Sequence, residues 1–93
     1  MSLTVKFIGA LRHISGKTQI TVNFKEQISL KELLVKTSEE MPSLEKTFSS
    51  QQNDPRSNAL ILVNGREISV LKGLETILND GDEIVFVPVV HGG

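Results

Sequence analysis

The hydrophobic period of this chain changes along its length, and the order of those changes restricts the fold more than any other feature. Leu3 to Ala10 (LTVKFIGA) alternates, with Leu3, Val5 and Phe7 on one face and Thr4, Lys6 and Ile8 on the other. A period of two is that of a strand with one face on a core. Residues 11–16, which hold His13 and Ser15-Gly16, read as a turn. Lys17 to Phe24 (KTQITVNF) then alternates again, with Ile20, Val22 and Phe24 inward, and the short spacing predicts a hairpin with the first strand. The period next lengthens. Leu30, Leu33, Leu34, Thr37 and Met41 recur at helical spacing behind Ser29 and Glu32, the two partners of a capping box. A helix over residues 29–41 is expected, ending near Pro42.

The second half is richer in strand signals. Residues 43–48 (SLEKTF) offer a further helical turn through Leu44 and Phe48, and the polar stretch 49–58 (SSQQNDPRSN) reads as the longest loop. Ala59 to Val63 (ALILV) is a continuous apolar run, the pattern of a strand covered on both faces. Asn64-Gly65 carries the type I′ turn signal, so Arg66 to Val70 is expected to return as the second arm of a hairpin. Leu74 to Leu78 suggests one short helical turn, and Asn79-Asp80-Gly81-Asp82 a tight one. Glu83 to Val90 is the last strand, with Ile84 and Phe86 inward and Val85, Val87 and Val89 on the other face. Pro88 cannot donate to a ladder, so pairing on one side should fail there. The order is strand, strand, helix, strand, strand, short turn, strand. That is an α+β chain with a mixed sheet of about five strands and one main helix on one face, and its other face stays open unless a partner covers it. A length of 93 residues predicts a single domain, 1–93.

Composition excludes several functions. There is no cysteine, hence no disulfide framework, zinc knuckle, iron–sulfur cluster or catalytic thiol. Ten basic against eleven acidic residues leave a net charge of -1, with the lysines scattered, so nothing here would hold nucleic acid. No signal peptide or membrane-length apolar run is present, and a cytoplasmic protein is expected. His13 and His91 lack companions at ligand spacing and read as solvent-exposed, and Asp80, Asp82 and Glu83 lack the remaining positions of a calcium loop, so no metal site is expected. No nucleophile–base pair or phosphate loop is visible, and the chain offers no self-contained active site.

What remains is the end, Val89-Val90-His91-Gly92-Gly93. A pair of terminal glycines arises by chance in about one protein in two hundred. A strand leading into a side-chain-free tail that closes on a carboxylate suits a group activated inside another protein. Glycine lets backbone approach closely within a narrow channel, and residues 88–93, read as a flexible reactive tail, would span about 20 Å when extended. The segments LVNGREI and LNDGDEIVFVP, with the closing HGG, closely resemble the β-grasp, ubiquitin-like sulfur carriers, a family that takes in the molybdopterin synthase small subunits and the small archaeal modifier proteins. The likeness runs from VKFIGALRHISG to the terminus and is strongest from Leu62 to Gly93.

The resemblance implies a chemistry. An E1-like activating enzyme adenylates the Gly93 carboxylate with ATP and magnesium, and a persulfide sulfur donor converts the adenylate to a thiocarboxylate. The sulfur then passes to a pterin precursor in molybdopterin biosynthesis, with a synthase large subunit as partner, or to tRNA or another acceptor. Alternatively the activated carboxyl is joined to lysines of target proteins. Gly92, His91 and Val90 would thread the partner's site. No cofactor is expected on the chain itself. His91 departs from the small residue usual before Gly-Gly in the synthase subunits and is nearer to the eukaryotic ubiquitin-related modifier, whereas Pro88 matches the synthase type. Ile8, Val85 and Val87, assigned to the face away from the helix, would form the partner-binding surface. The competing reading is a β-grasp interaction module that never uses its terminus chemically.

Overall fold

A computed structural model describes residues 1–44 and 59–88. The elements are β1 (Ser2–Phe7), α1 (Ala10–Ser15), β2 (Gln19–Asn23), β3 (Ile28–Ser29), α2 (Leu30–Glu40), β4 (Ala59–Val63), β5 (Arg66–Glu67), β6 (Ile77–Leu78) and β7 (Glu83–Pro88), with 3-10 turns at Pro42–Leu44, Ile68–Val70 and Gly73–Glu75. Five strands form one mixed sheet in the order β2-β1-β7-β4-β5, and β3 and β6 make a separate two-stranded ladder. This is the expected α+β architecture with one main helix.

Local rules account for the principal elements. The β1–β2 hairpin sets Leu3 opposite Val22 and Val5 opposite Ile20, so the inward residues of both strands meet on one face. Ser29 Oγ accepts the Glu32 N–H (3.2 Å) while the Glu32 carboxylate accepts the Ser29 N–H (3.4 Å), which completes the capping box and starts α2. The helix buries Leu30, Leu33, Leu34 and Thr37. Those side chains share a core with Leu3, Val5, Phe7, Ile61, Ile84 and Phe86 from the sheet. Phe7 and Phe86 stack with ring centroids 6.0 Å apart at the centre of that core. Asn64 and Gly65 both have positive φ (50° and 82°), as a type I′ turn requires, and Gly supplies the second at no steric cost.

Four local expectations are corrected. Residues 11–16 form not a turn but most of α1, anchored by buried Leu11 and ended by Gly16 in the left-handed region. Ala59–Val63 is not covered on both faces: Ile61 and Val63 are buried, but Leu60 is 36% exposed and Leu62 is half-buried. The arm after Asn64-Gly65 pairs only through Glu67, because buried Ile68 turns inward and the Glu67 carboxylate accepts the Ser69 N–H (2.7 Å), opening a 3-10 turn. The helical turn at 74–78 is displaced to Gly73–Glu75, and Ile77–Leu78 pair instead with Ile28–Ser29. Of the turn expected over 43–48, only Ser43 and Leu44 lie within the described residues, in the 3-10 turn.

One buried group stands out for its energetics. The Thr37 hydroxyl is fully buried and has no hydrogen-bond partner among the described residues. An unsatisfied buried hydroxyl costs about 1–3 kcal/mol, and valine keeps its shape without its polarity. Thr37→Val is therefore expected to raise stability by about 1 kcal/mol, read as a melting temperature higher by about 4–8 °C. An unchanged or lower midpoint by circular dichroism would mean that the hydroxyl is satisfied in solution.

Candidate functional site: the open sheet face and the exit of strand β7

β7 is the middle strand of the sheet. It pairs in parallel with β1 from Thr4↔Glu83 to Phe7↔Phe86, and antiparallel with β4 from Val63↔Ile84 to Ala59↔Pro88. Alternation divides it cleanly. Ile84 and Phe86 are fully buried under α2, while Glu83, Val85 and Val87 belong to the opposite face. On β4 the same parity sets Leu62 opposite Val85 and Leu60 opposite Val87.

Among the described residues this opposite face is apolar toward the end of β7 and charged toward its start. Leu60, Leu62, Val85 and Val87 make two cross-strand pairs, with half-buried Ile8 following β1 on the same side. At the other end Lys6 Nζ lies 2.9 Å from Glu83 Oε2. That pair is solvent-exposed, so it contributes little stability and serves to keep the apolar patch bounded. Ile8, Val85 and Val87 were the face residues expected from sequence. Leu60 and Leu62 were missed because ALILV read as doubly covered; the parity of Ile61 and Val63 would have found them.

The departure of the chain from the sheet has its own geometry. The Ile8 N–H donates to the Phe86 carbonyl (3.1 Å). In a parallel ladder the next bond would run from the nitrogen of residue 88 to the Ile8 carbonyl, and Pro88 has no donor. The Ile8 carbonyl accepts instead from the Leu11 N–H (3.2 Å), the first turn of α1. Pairing with β1 therefore stops at Phe86 while pairing with β4 continues to Pro88, as the proline predicted. Gly9 sits against this point with φ 58° and ψ -132°, a conformation that favours glycine, and a Cβ there would lie 3.2 Å from Pro88 Cγ. Two glycine and proline constraints thus meet where β7 ends.

The remaining expected site residues, Val90, His91, Gly92 and Gly93, lie outside the described residues, as do Val89 and the stretch 49–58. His13 is exposed on α1 rather than in a loop. Asp80 and Asp82 serve the turn: Asp80 Oδ1 accepts the Ser2 N–H (2.8 Å), and Asp82 Oδ1 and Oδ2 accept from Asn64 Nδ2 (2.9 Å) and the Asn79 N–H (2.7 Å). Among the described residues, no helix is long and apolar enough to cross a membrane.

A mixed five-stranded sheet with a parallel central pair, embracing one main helix, defines a ubiquitin-like β-grasp protein. The chain belongs to the ThiS family, whose model matches residues 5–93, and with it to the ubiquitin-like sulfur carriers and modifiers. It is similar to small archaeal modifier protein 3 of Haloferax volcanii, 27% identical over 93 residues and covering 100% of both chains. Among solved structures it resembles small archaeal modifier protein 1 of Methanosarcina acetivorans, with TM-score 0.79, 29% identity, and 99% and 96% of the two chains covered. It also resembles one chain in the structure of the complex of subunits 1 and 2 of the molybdopterin-converting factor of Helicobacter pylori, with TM-score 0.63, 25% identity and 100% of both chains covered.

Proposed function

We propose that this chain is a carrier whose Gly93 carboxyl group is activated by adenylation and converted to a thiocarboxylate, with sulfur delivery in molybdopterin biosynthesis as the leading use. A carboxylate is inert to nucleophiles until one oxygen becomes part of a leaving group. An E1-like activating enzyme supplies this with ATP and magnesium: the carboxylate attacks the α-phosphate, pyrophosphate leaves, and an acyl-adenylate forms. A persulfide sulfur then displaces AMP, and cleavage of the resulting acyl disulfide by a thiol leaves sulfur on the chain. After that first attack by the chain's own carboxylate, every sulfur nucleophile comes from a partner, which agrees with a chain that has no cysteine.

The observation that carries the reading is the course of β7. The strand that presents Val85 and Val87 on the uncovered apolar face is the one that continues toward His91-Gly92-Gly93. A partner that covers this face is thereby brought beside the segment it must thread. The apolar patch supports a protein partner, since burying it recovers about 25 cal/mol per Å² of apolar surface. The Helicobacter pylori likeness supports a second subunit as one such partner, and the archaeal modifiers support transfer of the carboxyl to lysines of target proteins as a further use. ATP and persulfide carriers suit a cytoplasmic setting.

The test is mass spectrometry of the tryptic peptide from Gly73 to Gly93, since no Lys or Arg follows Lys72. The peptide contains no methionine, so oxidation of that residue cannot imitate the gain from replacing oxygen by sulfur. Sulfur on Gly93 is the expected result, and the same peptide branched onto lysines of other proteins would add the modifier role. An ordinary carboxylate, even after incubation with ATP, an activating enzyme and a sulfur donor, would leave only an interaction module. The surface makes a separate prediction. Val87→Asp places a charge on the open face without touching the core, so the melting temperature should hold while the rate of adenylation falls by about tenfold or more. An unchanged rate would exclude this face from activation.

A further inference from the structure

Asn64 is the one asparagine of the chain that a glycine follows. A side-chain amide in that setting is labile, because the glycine nitrogen has no neighbouring Cβ to hinder its attack on the asparagine Cγ. The hairpin cannot do without the pair: Asn64 and Gly65 both take positive φ, and Val63 and Arg66 pair behind them. Both turn residues are exposed. Among the described residues, no atom lies within 4 Å of where a Cβ on Gly65 would stand, so the turn is open to water.

A clamp between Asn64 and the start of β7 opposes the reaction. The Asn64 backbone N–H donates to the Glu83 carbonyl (2.8 Å), and its side-chain Oδ1 accepts the Glu83 N–H (2.9 Å). Asn64 Nδ2 donates to Asp82 Oδ1 (2.9 Å), while Asp82 Oδ2 accepts the Asn79 N–H (2.7 Å). Both ends of the side-chain amide are thus tied to Asp82 and Glu83. Cyclisation needs Cγ to swing onto the Gly65 nitrogen, which breaks both bonds. The Asp82 carboxylate beside Nδ2 also disfavours the negative charge that the attack develops.

We propose that Asn64 is a self-modification site, held unreactive while this clamp is closed and converted to aspartate or isoaspartate when the start of β7 opens. The Gly65 N–H gives its proton to solvent base, and its nitrogen attacks Asn64 Cγ. The side-chain nitrogen takes a proton from water and leaves as ammonia. Water then opens the resulting succinimide at either carbonyl. One opening leaves aspartate, and the other routes the main chain through the side-chain carboxyl, one methylene longer. The sum is amide plus water to acid plus ammonia. The rate is set by how often the clamp opens, a local event that costs less than global unfolding. Neither product restores the clamp. Aspartate sets a carboxylate oxygen against Asp82 Oδ1 where Nδ2 donated, and isoaspartate is too long for a two-residue turn. Because the clamp holds Glu83 at the head of β7, modification loosens the charged end of the open face, two residues from Val85. This inference does not depend on the chemistry at Gly93.

The experiment incubates the full chain and a free peptide of residues 62–68 at mildly alkaline pH and follows both by mass spectrometry. Trypsin releases Asn64 on the peptide from Ser57 to Arg66, and fragmentation separates it from Asn58. Asn64 in the folded chain should deamidate at least about tenfold more slowly than in the free peptide. Asp82→Ala should raise the rate in the chain about tenfold, since a hydrogen bond to a charged group is lost, and Asp82→Asn, which keeps an acceptor, by less. Hydrogen exchange on the same samples separates the clamp from general loosening. Deamidation should follow exchange of the Glu83 amide, which bonds to Asn64, and not that of the Phe86 amide on the central strand. Should Asp82→Ala fail to fold, Asp82→Asn and the unsubstituted chain supply the same comparison. Asn64→Asp, which reproduces one product, should show a fast-exchanging Glu83 amide from the outset. Equal rates in chain and peptide, a rate indifferent to the substitutions at Asp82, or a rate that follows the Phe86 amide would each overturn the inference.

Discussion

One alanine added after Gly93 should abolish sulfur loading while leaving the melting temperature unchanged. On the proposed reading the reacting group is the Gly93 carboxyl, and each added residue moves the end of an extended chain by about 3.3–3.6 Å. Displacement of a reacting atom by even 1 Å can cost about a hundredfold in rate, so one residue takes the carbonyl beyond the nucleotide that must activate it. The added methyl group also crowds a channel fitted to Gly92 and Gly93. The described sheet and core end at Pro88, so no buried contact described here depends on the addition. The measurement is the thiocarboxylate mass of the terminal peptide after incubation with ATP, activating enzyme and sulfur donor. Loading at the unmodified rate would refute activation at Gly93, and retained partner binding with lost loading is the expected pairing of results.

Phe86→Ala should have the largest effect on stability. Phe86 is fully buried, stacks on Phe7, and lies on the central strand between β1 and β4. Truncating a buried phenylalanine costs about 3–5 kcal/mol, because a cavity remains where the ring was. A domain of this size is stable by only about 5–15 kcal/mol. The melting temperature should fall by at least about 12 °C in a thermal scan. The neighbouring Val87→Asp, one residue along the same strand but on the other face, should leave the melting temperature unchanged. A similar loss in both variants would mean that the open face is packed in solution.

The difference between those neighbours was legible in the sequence, because alternation assigns Phe86 and Val87 to opposite faces whatever the strand pairs with. The capping box at Ser29 and Glu32, the turn at Asn64-Gly65 and the interruption at Pro88 were legible for the same reason. Each is a local stereochemical requirement met within a few residues. α1 was not, since six residues around His13 carry too little periodicity, and its start depends on an Ile8 carbonyl that a remote proline leaves without a donor. The shortness of β5 and the β3–β6 ladder were hidden likewise, because Ile68 turns inward to a core built by distant segments.

The site divides along the same line. Sequence alone determined the strand and helix order, the parity that puts Ile8, Val85 and Val87 away from the core, and the Gly-Gly motif, because period and backbone stereochemistry act over neighbouring residues. Only the tertiary structure decided that β7 lies at the centre of the sheet and that Leu60 and Leu62 extend the apolar face. Those facts depend on which strands become neighbours. Strand order is chosen by the packing of one core under one helix, a free energy that no stretch of the chain carries by itself.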